Sequence, residues 1–451
     1  MVSDSSPISD IVVPFGTVDP AKATTSVHFV GNLNASEEPV GNITKTERLY
    51  AREISGRTSD MNGLYGRGEA NMQISGLSSM STTVTVSATD SAAGAKTRTY
   101  TYVAEDAGST SKDFHTLDDL IAEINNDFSG ANLSFTAALN SNGAITFSNL
   151  GAANNTITLS SVNSVLNKSL ASANGVAGAK TTDEFSHVAM KSDSMIDLRD
   201  SHGVGLGLTL ADSIMVEGRV GGASVTPGSI AIDDGGGESI SYGDFAQRLK
   251  GVFGITNVKG IEIDSVNGAT IINADGGAAN EITAVNIARN PAVPNADGPD
   301  IFNGVFDATV GNWTEVQEAK DVTHSAAVRV YDSLGNAHNL TLQFKKDVRL
   351  PNRWEWNITV PEPAELSGGY IGAVSFDSNG NLESYIYSQG ASSFTFDPKN
   401  GADVPIDIVL NFGTIGSADG ISQFSNISTV IAKDQNGYSS GALDNVTIGS
   451  D

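Results

Sequence analysis

The chain contains no cysteine. That excludes disulfides, thiolate metal sites and cysteine nucleophiles together. Stability must come from packing and hydrogen bonds. Basic residues are scarce: 26 Lys and Arg stand against 52 Asp and Glu, for a formal charge of -26 and a pI near 4.4. Nucleic acid and anionic membrane surfaces are therefore excluded as partners, because like charges repel. No apolar run approaches the roughly 18 residues that a membrane helix needs. Tryptophan is missing from Met1 through Asn312, which removes a stacking platform for carbohydrate there. The start, Met1 to Pro7, has neither a basic segment nor an apolar core, so no secretory signal is read. The 6 His residues show no H-x-x-x-H or carboxylate spacing, and no zinc site or cofactor is expected.

What the chain does have is Gly, Ser, Thr, Asn and Ala in abundance, a composition for short strands and many turns. At 451 residues it has room for about three domains. The most informative stretch is Ala326 to Lys345. Val328 and Val330 alternate with Arg329 and Tyr331, and Leu340, Leu342 and Phe344 alternate with Thr341, Gln343 and Lys345. Period-two alternation buries one row of side chains and exposes the other. Asp332, Gly335 and Asn336 supply turn chemistry between the two arms. A third arm follows, with Trp354, Trp356 and Ile358 on one side. Further strands are expected over Ser26–Val30, Ala373–Phe376, Leu382–Tyr387, Ile406–Phe412 and Val446–Ile448.

The V-Y-D-S-x-G-N-x-H segment at Val330–His338, followed by a hydrophobic strand and a Trp-containing strand, resembles the signature of the bacterial flagellar hook protein family. Two other segments agree and occur in the family's order. Ala23–Ala35 resembles its T-T-x-x-x-x-x-x-N-L segment, and Gln435–Leu443 resembles its N-G-Y-x-x-G-x-L segment. The residues carrying the resemblance are Asn32, Leu33, Tyr331, Asp332, Gly335, Asn336, His338, Trp354, Gly437, Tyr438 and Gly441. The role read for them is structural, with His338 packing or hydrogen-bonding within its hairpin. Together with the strands around them, these segments cover roughly the first 40 residues and the last 130.

The middle of the chain lies outside that resemblance and holds an internal repeat. Thr116–Phe128 places Leu117, Leu120, Ile121, Ile124 and Phe128 at helical spacing. Ser241–Phe253 does the same with Tyr242, Phe245, Ala246, Leu249 and Phe253. Each opens on a hydroxyl residue followed three later by Asp, a capping-box pattern. The offset between them is 125 residues, from 116 to 241, and it recurs for the turn glycines Gly143 and Gly268. Each unit reads as strand, strand, helix, hairpin, strand, resembling the small inserted modules of flagellins and hook-associated proteins. A helix with one apolar stripe covers one face of a small sheet and makes a compact knob.

The expected fold is mainly β and multidomain: β-rich inner and middle domains from discontinuous segments, plus two inserted small α+β modules, each a sheet with one helix. In hook-type proteins the two chain ends return to one inner domain. The expected boundaries are 1–40 with 421–451 for a partial inner domain, and 41–71, 166–210 and 291–420 for the middle domain. Residues 72–165 and 211–290 are the two outer modules.

Several motifs invite chemistry and are better read as turns. Gly437–Gly441 matches G-x-S-x-G, but that fold needs an acid and then a His after the serine, and the last His here is His338. Gly203–Leu208 lacks phosphate-loop spacing. Ile232–Glu238, Asp377–Gly380 and Asp434–Gly437 group acids or amides with glycine, without the ligand count of a calcium loop.

The resemblance implies a structural, non-catalytic protein: a subunit of the flagellar hook, the curved tube that works as a universal joint between motor and filament in motility. It implies other hook subunits as partners, with the hook cap, rod and hook–filament junction proteins. It also implies a place in the extracellular flagellum, reached through the flagellar export apparatus without a cleaved signal; absence of disulfides suits passage through an export channel. Hook-type proteins polymerise through long apolar helices at both ends. The first twenty residues here hold three prolines and the last ten show no helical pattern. The expectation is a fragment lacking the polymerising core, monomeric in solution. The alternative from another class is a secreted β-rich adhesin or surface-layer module, which would need an aromatic groove or grouped carboxylates in the repeats.

Overall fold

The computed structural model describes residues 18–442, apart from 58, 67–71, 80, 91–93, 105–111, 130–134, 151–154, 291–300 and 308–312. The strand expected over Val446–Ile448 lies outside the described residues. The chain divides into two compact units, residues 1–40 with 320–451 and residues 41–319.

Among the described residues the discontinuous unit is built of β-strands, with one 3-10 turn at Ser388–Gly390. Its first sheet is an antiparallel meander of Thr323–Tyr331, Ala337–Lys346, Arg353–Thr359, Ile371–Phe376 and Leu382–Tyr387, paired in chain order. Val328, Val330, Leu340, Leu342, Phe344, Trp354, Trp356 and Ile358 are all buried, so the alternation correctly assigns the inner face. The second sheet runs Glu365–Gly368, Phe394–Asp397, Ile406–Asn411, Ser26–Asn34 and Ile421–Phe424, with Ile431–Gln435 also paired to Ser26–Asn34. Both sheets contribute to one core. Phe412 is its hub, with ring centroids 5.7 Å from Phe29, 6.1 Å from Phe344, 5.8 Å from Trp356 and 5.5 Å from Tyr385. Aromatic pairs at such distances add to area burial.

This packing differs from the sequence-based division into inner and middle domains. Ser26–Asn34 is flanked by Ile406–Asn411 and Ile431–Gln435, and its Val27, Phe29 and Leu33 share the core of residues 322–430. A separate inner domain built from 1–40 and 421–451 has no core of its own among the described residues.

The other unit has two cores. One draws on Met61 to Phe185, the other on Leu49, Ala51 and Ala189 to Phe306. The described residues of 41–66, 166–210 and 301–307, which the sequence assigns to the middle domain, therefore pack with the modules. Helix α1 (Leu117–Phe128) buries the expected five-residue stripe, and its Thr116–Asp119 capping box is present on both sides. Two further helices follow, α2 (Ser164–Ala171) and α3 (Tyr242–Phe253). In α3 the Ser241–Asp244 box is likewise reciprocal and the expected stripe is buried. The fourth, α4 (Ile301–Phe306), buries Phe302, Val305 and Phe306. Each core thus holds two helices where one was expected.

The repeat has a structural axis. Strands Tyr50–Arg52 and Lys180–Val188 pair antiparallel, with His187 opposite Ala51. At one end of this pair Phe185 N donates to Gly143 O over 2.7 Å; at the other, Leu49 N donates to Asn267 O over 3.1 Å. The two equivalent hairpin turns therefore dock at opposite ends of one strand pair.

Candidate functional site

The turn Asp332–Asn336 is closed by the Asp332 N–H donating to Asn336 O (3.1 Å) and the Gly335 N–H to Asp332 O (3.1 Å). The carboxylate Oδ1 of Asp332 accepts the backbone N–H of Leu334 and of Asn336, each at 2.9 Å. Gly335 sits at φ +84°, where a side chain would be strained, and a Cβ there would come within 2.8 Å of Ala21 Cβ. The same turn recurs at Asn140–Ala144, Asp200–Val204 and Asp377–Asn381. In each, the first side-chain oxygen accepts the second and fourth following N–H groups at 2.8–3.1 Å. All four read Asn or Asp, Ser, any residue, Gly, any residue. This Asx-type turn is local chemistry that any hairpin can use.

What sets the copy at 332 apart is its second oxygen. Asp332 is fully buried. Its Oδ2 pairs with His338 Nε2 at 2.9 Å and accepts from Asn336 Nδ2 at 3.2 Å and Asn400 Nδ2 at 2.5 Å. Burial pushes this carboxyl up; the donors from His338, Asn400 and Asn336 overcome it and hold the pKa at about 2. The carboxylate is thus ionised at any physiological pH and is a poor general acid or base. His338 also sets its ring edge-on to Phe396, centroids 5.6 Å apart.

The other motif segments meet this turn. Thr24 N donates to Tyr331 O and Tyr331 N donates to Thr24 Oγ1, both over 2.9 Å. The Thr24 hydroxyl donates onward to Gln435 Oε1 at 3.0 Å. Lys22 and Tyr438 exchange backbone bonds of 3.0 and 2.9 Å. A Cβ on Gly437 would lie 2.2 Å from Thr24 Oγ1, so that position admits only glycine. Gly441 pairs with Asp19. The N-terminal, central and C-terminal motif segments are therefore knotted together within one unit.

Asn32 acts at the far end of its strand. Its Nδ2 donates to the carbonyls of Phe424 (3.2 Å), Asn426 (2.9 Å) and Ile427 (3.2 Å), and its Oδ1 accepts Phe424 N at 2.7 Å. That amide clasps the loop after Ile421–Phe424, while Leu33 and Trp354 are fully buried core residues. Sequence reasoning missed Thr24, Asn400 and Gln435 as members of the knot. Thr24 and Gln435 stand inside the motif segments, but Asn400 carried no signal beyond an ordinary Lys-Asn-Gly turn.

A second buried polar cluster was also missed. His187 Nδ1 lies 2.7 Å from Glu53 Oε2, and its Nε2 lies 3.0 Å from Asp193 Oδ2. Arg57 pairs with the other Asp193 oxygen. All three of His187, Glu53 and Asp193 are buried. Burial opposes a charged imidazole, yet the bonds to Asp193 and Glu53 raise the His187 pKa above its ordinary value. The Asp193 N–H closes its own loop on Met190 O at 3.0 Å, and its C=O ties that loop to α3, accepting from Tyr242 N at 2.7 Å. The cluster cross-links backbone elements.

Residues 304–438 match the family model described as the flagellar basal body protein FlaE D2 domain. The chain is similar to the flagellar hook protein FlgE of Helicobacter pylori, 31% identical over 183 residues, covering 39% of this chain and 24% of that protein. It is also similar to the flagellar hook protein FlgE of Borreliella burgdorferi, 34% identical over 131 residues, covering 26% of this chain and 28% of that protein. The chain thus spans about a quarter of the length of these relatives. A crystal structure of the Helicobacter pylori flagellar hook protein FlgE2 aligns with 95% of this chain and 62% of that one, at 11% identity and a TM-score of 0.24.

Proposed function

From the premise that this chain is a relative of the flagellar hook proteins, we propose that it is a structural, non-catalytic subunit of the flagellar hook. In this reading it stands outside the cell among other hook subunits, in the flexible tube that joins motor to filament. The hook cap, rod and hook–filament junction are its further neighbours, and the flagellar export apparatus delivers it without a cleaved signal. The β unit acts as the rigid body, and residues 41–319 are an insertion that decorates it.

The observation that carries this proposal is the knot at Asp332. Three motif segments separated by hundreds of residues converge there on backbone and side-chain bonds, and none of the groups is left free for catalysis. A buried carboxylate held by several donors at such a junction suits a load-transmitting domain. Immunogold labelling with antibodies to residues 41–319 tests it. Gold on the short curved segment at the filament base is the expected outcome. Gold spread over the cell surface, with bare hooks, would overturn the proposal.

A further inference from the structure

An Asn followed by Gly can modify itself, because a glycine without a side chain leaves room for its own amide nitrogen to attack the Asn amide. Eight such steps occur in the chain. In five of them the glycine N–H is engaged: Gly63 on Asp60 O, Gly143 on Asn140 O, Gly268 on Asp264 O, Gly380 on Asp377 O and Gly437 on Gln435 Oε1. A sixth glycine, Gly304, lies in α4, and a seventh, Gly175, in a strand pair. The step at Asn400 and Gly401 differs. Both residues are exposed, in the turn after Phe394–Asp397, and among the hydrogen bonds of the described residues none engages the Gly401 N–H. A Cβ on Gly401 would meet nothing within 4 Å, so the space around it is open. The Asn400 amide is held at both ends. Its Nδ2 donates to Asp332 Oδ2 at 2.5 Å, and its Oδ1 accepts the Ala402 N–H at 3.1 Å.

We propose that Asn400 and Gly401 form a self-modification site whose conversion unties the knot at Asp332. The Gly401 nitrogen gives its proton to hydroxide and forms a bond to Asn400 Cγ. The Cγ–Nδ2 bond breaks, and the departing nitrogen takes a proton from water and leaves as ammonia. Water then opens the five-membered imide at either carbonyl, leaving aspartate or isoaspartate at position 400. One water is consumed and one ammonia released. The Gly401 N–H gives up no hydrogen bond on losing its proton. The Ala402 N–H already points at the oxygen on which negative charge develops during the attack, the arrangement that stabilises an oxyanion. The product matters because of what Asn400 touches. A carboxylate takes the place of the amide that donates to fully buried Asp332, and like charges at that distance oppose one another. His338 and Asn336 remain as side-chain donors to Asp332 Oδ2, and the third is lost. The isoaspartate form also lengthens the backbone path by one carbon, which displaces the Ala402 turn. This chemistry belongs to the β unit and does not rest on the hook reading.

The full chain is incubated in warm, mildly alkaline buffer, folded and in parallel unfolded in urea, and peptide mapping by mass spectrometry follows every Asn-Gly step. Each folded rate is divided by the rate of the same step in urea, which cancels intrinsic differences between sites. Asn400 is expected to show the highest ratio of the eight. The urea midpoint of the β unit, read by fluorescence of buried Trp354 and Trp356, is expected to fall in step with conversion at Asn400. Asn400→Asp, made directly, should show a lowered midpoint from the start. Asn400→Gln, whose longer side chain closes the ring poorly, should abolish the loss with time. A higher ratio at any other Asn-Gly step, or a midpoint unmoved both by conversion and by Asn400→Asp, would overturn the proposal.

Discussion

Thr24 and Tyr331 are 307 residues apart in the chain and exchange two hydrogen bonds, backbone to backbone and backbone to hydroxyl. The pair closes the β unit around a 279-residue insertion, residues 41–319. Thr24→Val keeps the shape and removes the hydroxyl, leaving the half-buried Tyr331 N–H without its acceptor. The expected loss is about 1–3 kcal/mol, measured as a shift in the urea midpoint of the β unit. An unchanged midpoint would show that the hydroxyl is dispensable to the knot.

Asp332 makes the same unit sensitive to acid. Its folded pKa, about 2, lies below the ordinary carboxylate value. A depressed pKa contributes stability that is present above the unfolded value and lost as pH falls toward the folded one. Stability should therefore drop by about 2 kcal/mol between roughly pH 5 and pH 2. Asp332→Asn should flatten that limb, while lowering stability at neutral pH. Fluorescence of Trp354 and Trp356, both buried in this unit, reports the transition.

His187 gives the insertion the opposite response. Its pKa is raised by Asp193 and Glu53 against the pull of burial. A raised pKa contributes stability that is complete below the unfolded value and lost as pH rises through the folded one. Thermal unfolding of the insertion should weaken above neutral pH, as the imidazolium between Glu53, Asp193 and the Arg57-paired oxygen loses its proton. His187→Gln should remove that alkaline limb and cost about 3–5 kcal/mol below it, because buried Glu53 loses its cation and Asp193 keeps only Arg57.

The two capping boxes test whether the repeat is energetic as well as geometric. Thr116→Ala and Ser241→Ala each delete the hydroxyl that accepts the N–H of Asp119 or Asp244. Each should cost about 1 kcal/mol, and each should act on its own core. Equal losses in both cores from either single substitution would contradict separate modules.

Local patterns were legible in the sequence; long-range closure was not. The stripes and caps of α1 and α3 follow from side-chain spacing alone, as does the inner face of the Thr323–Thr359 strands. Helix α2 was passed over because only Leu166 and Leu170 mark its buried face within eight residues, too short for a periodic signal. The division of the β unit was misread because a strand's partners are not written in the strand. Ser26–Asn34 alternates in the same way whether it pairs with Ile431–Gln435 alone or also with Ile406–Asn411. At Asp332 the turn was legible and its third donor was not. Asn400 reaches Asp332 across 68 residues, and nothing near Asn400 names the carboxylate it serves. The Asx-Ser-x-Gly turn is found at four places among the described residues, so the signature at 332 identifies this fold through its burial and its company.

The most direct test of the central claim is cryo-microscopy of hooks isolated from the cells that make this chain. The expected result is a tubular helical lattice whose repeating density accommodates the β unit of residues 18–40 and 320–442, with residues 41–319 as its insertion. A hook lattice built entirely from another chain, with this one absent, would contradict it.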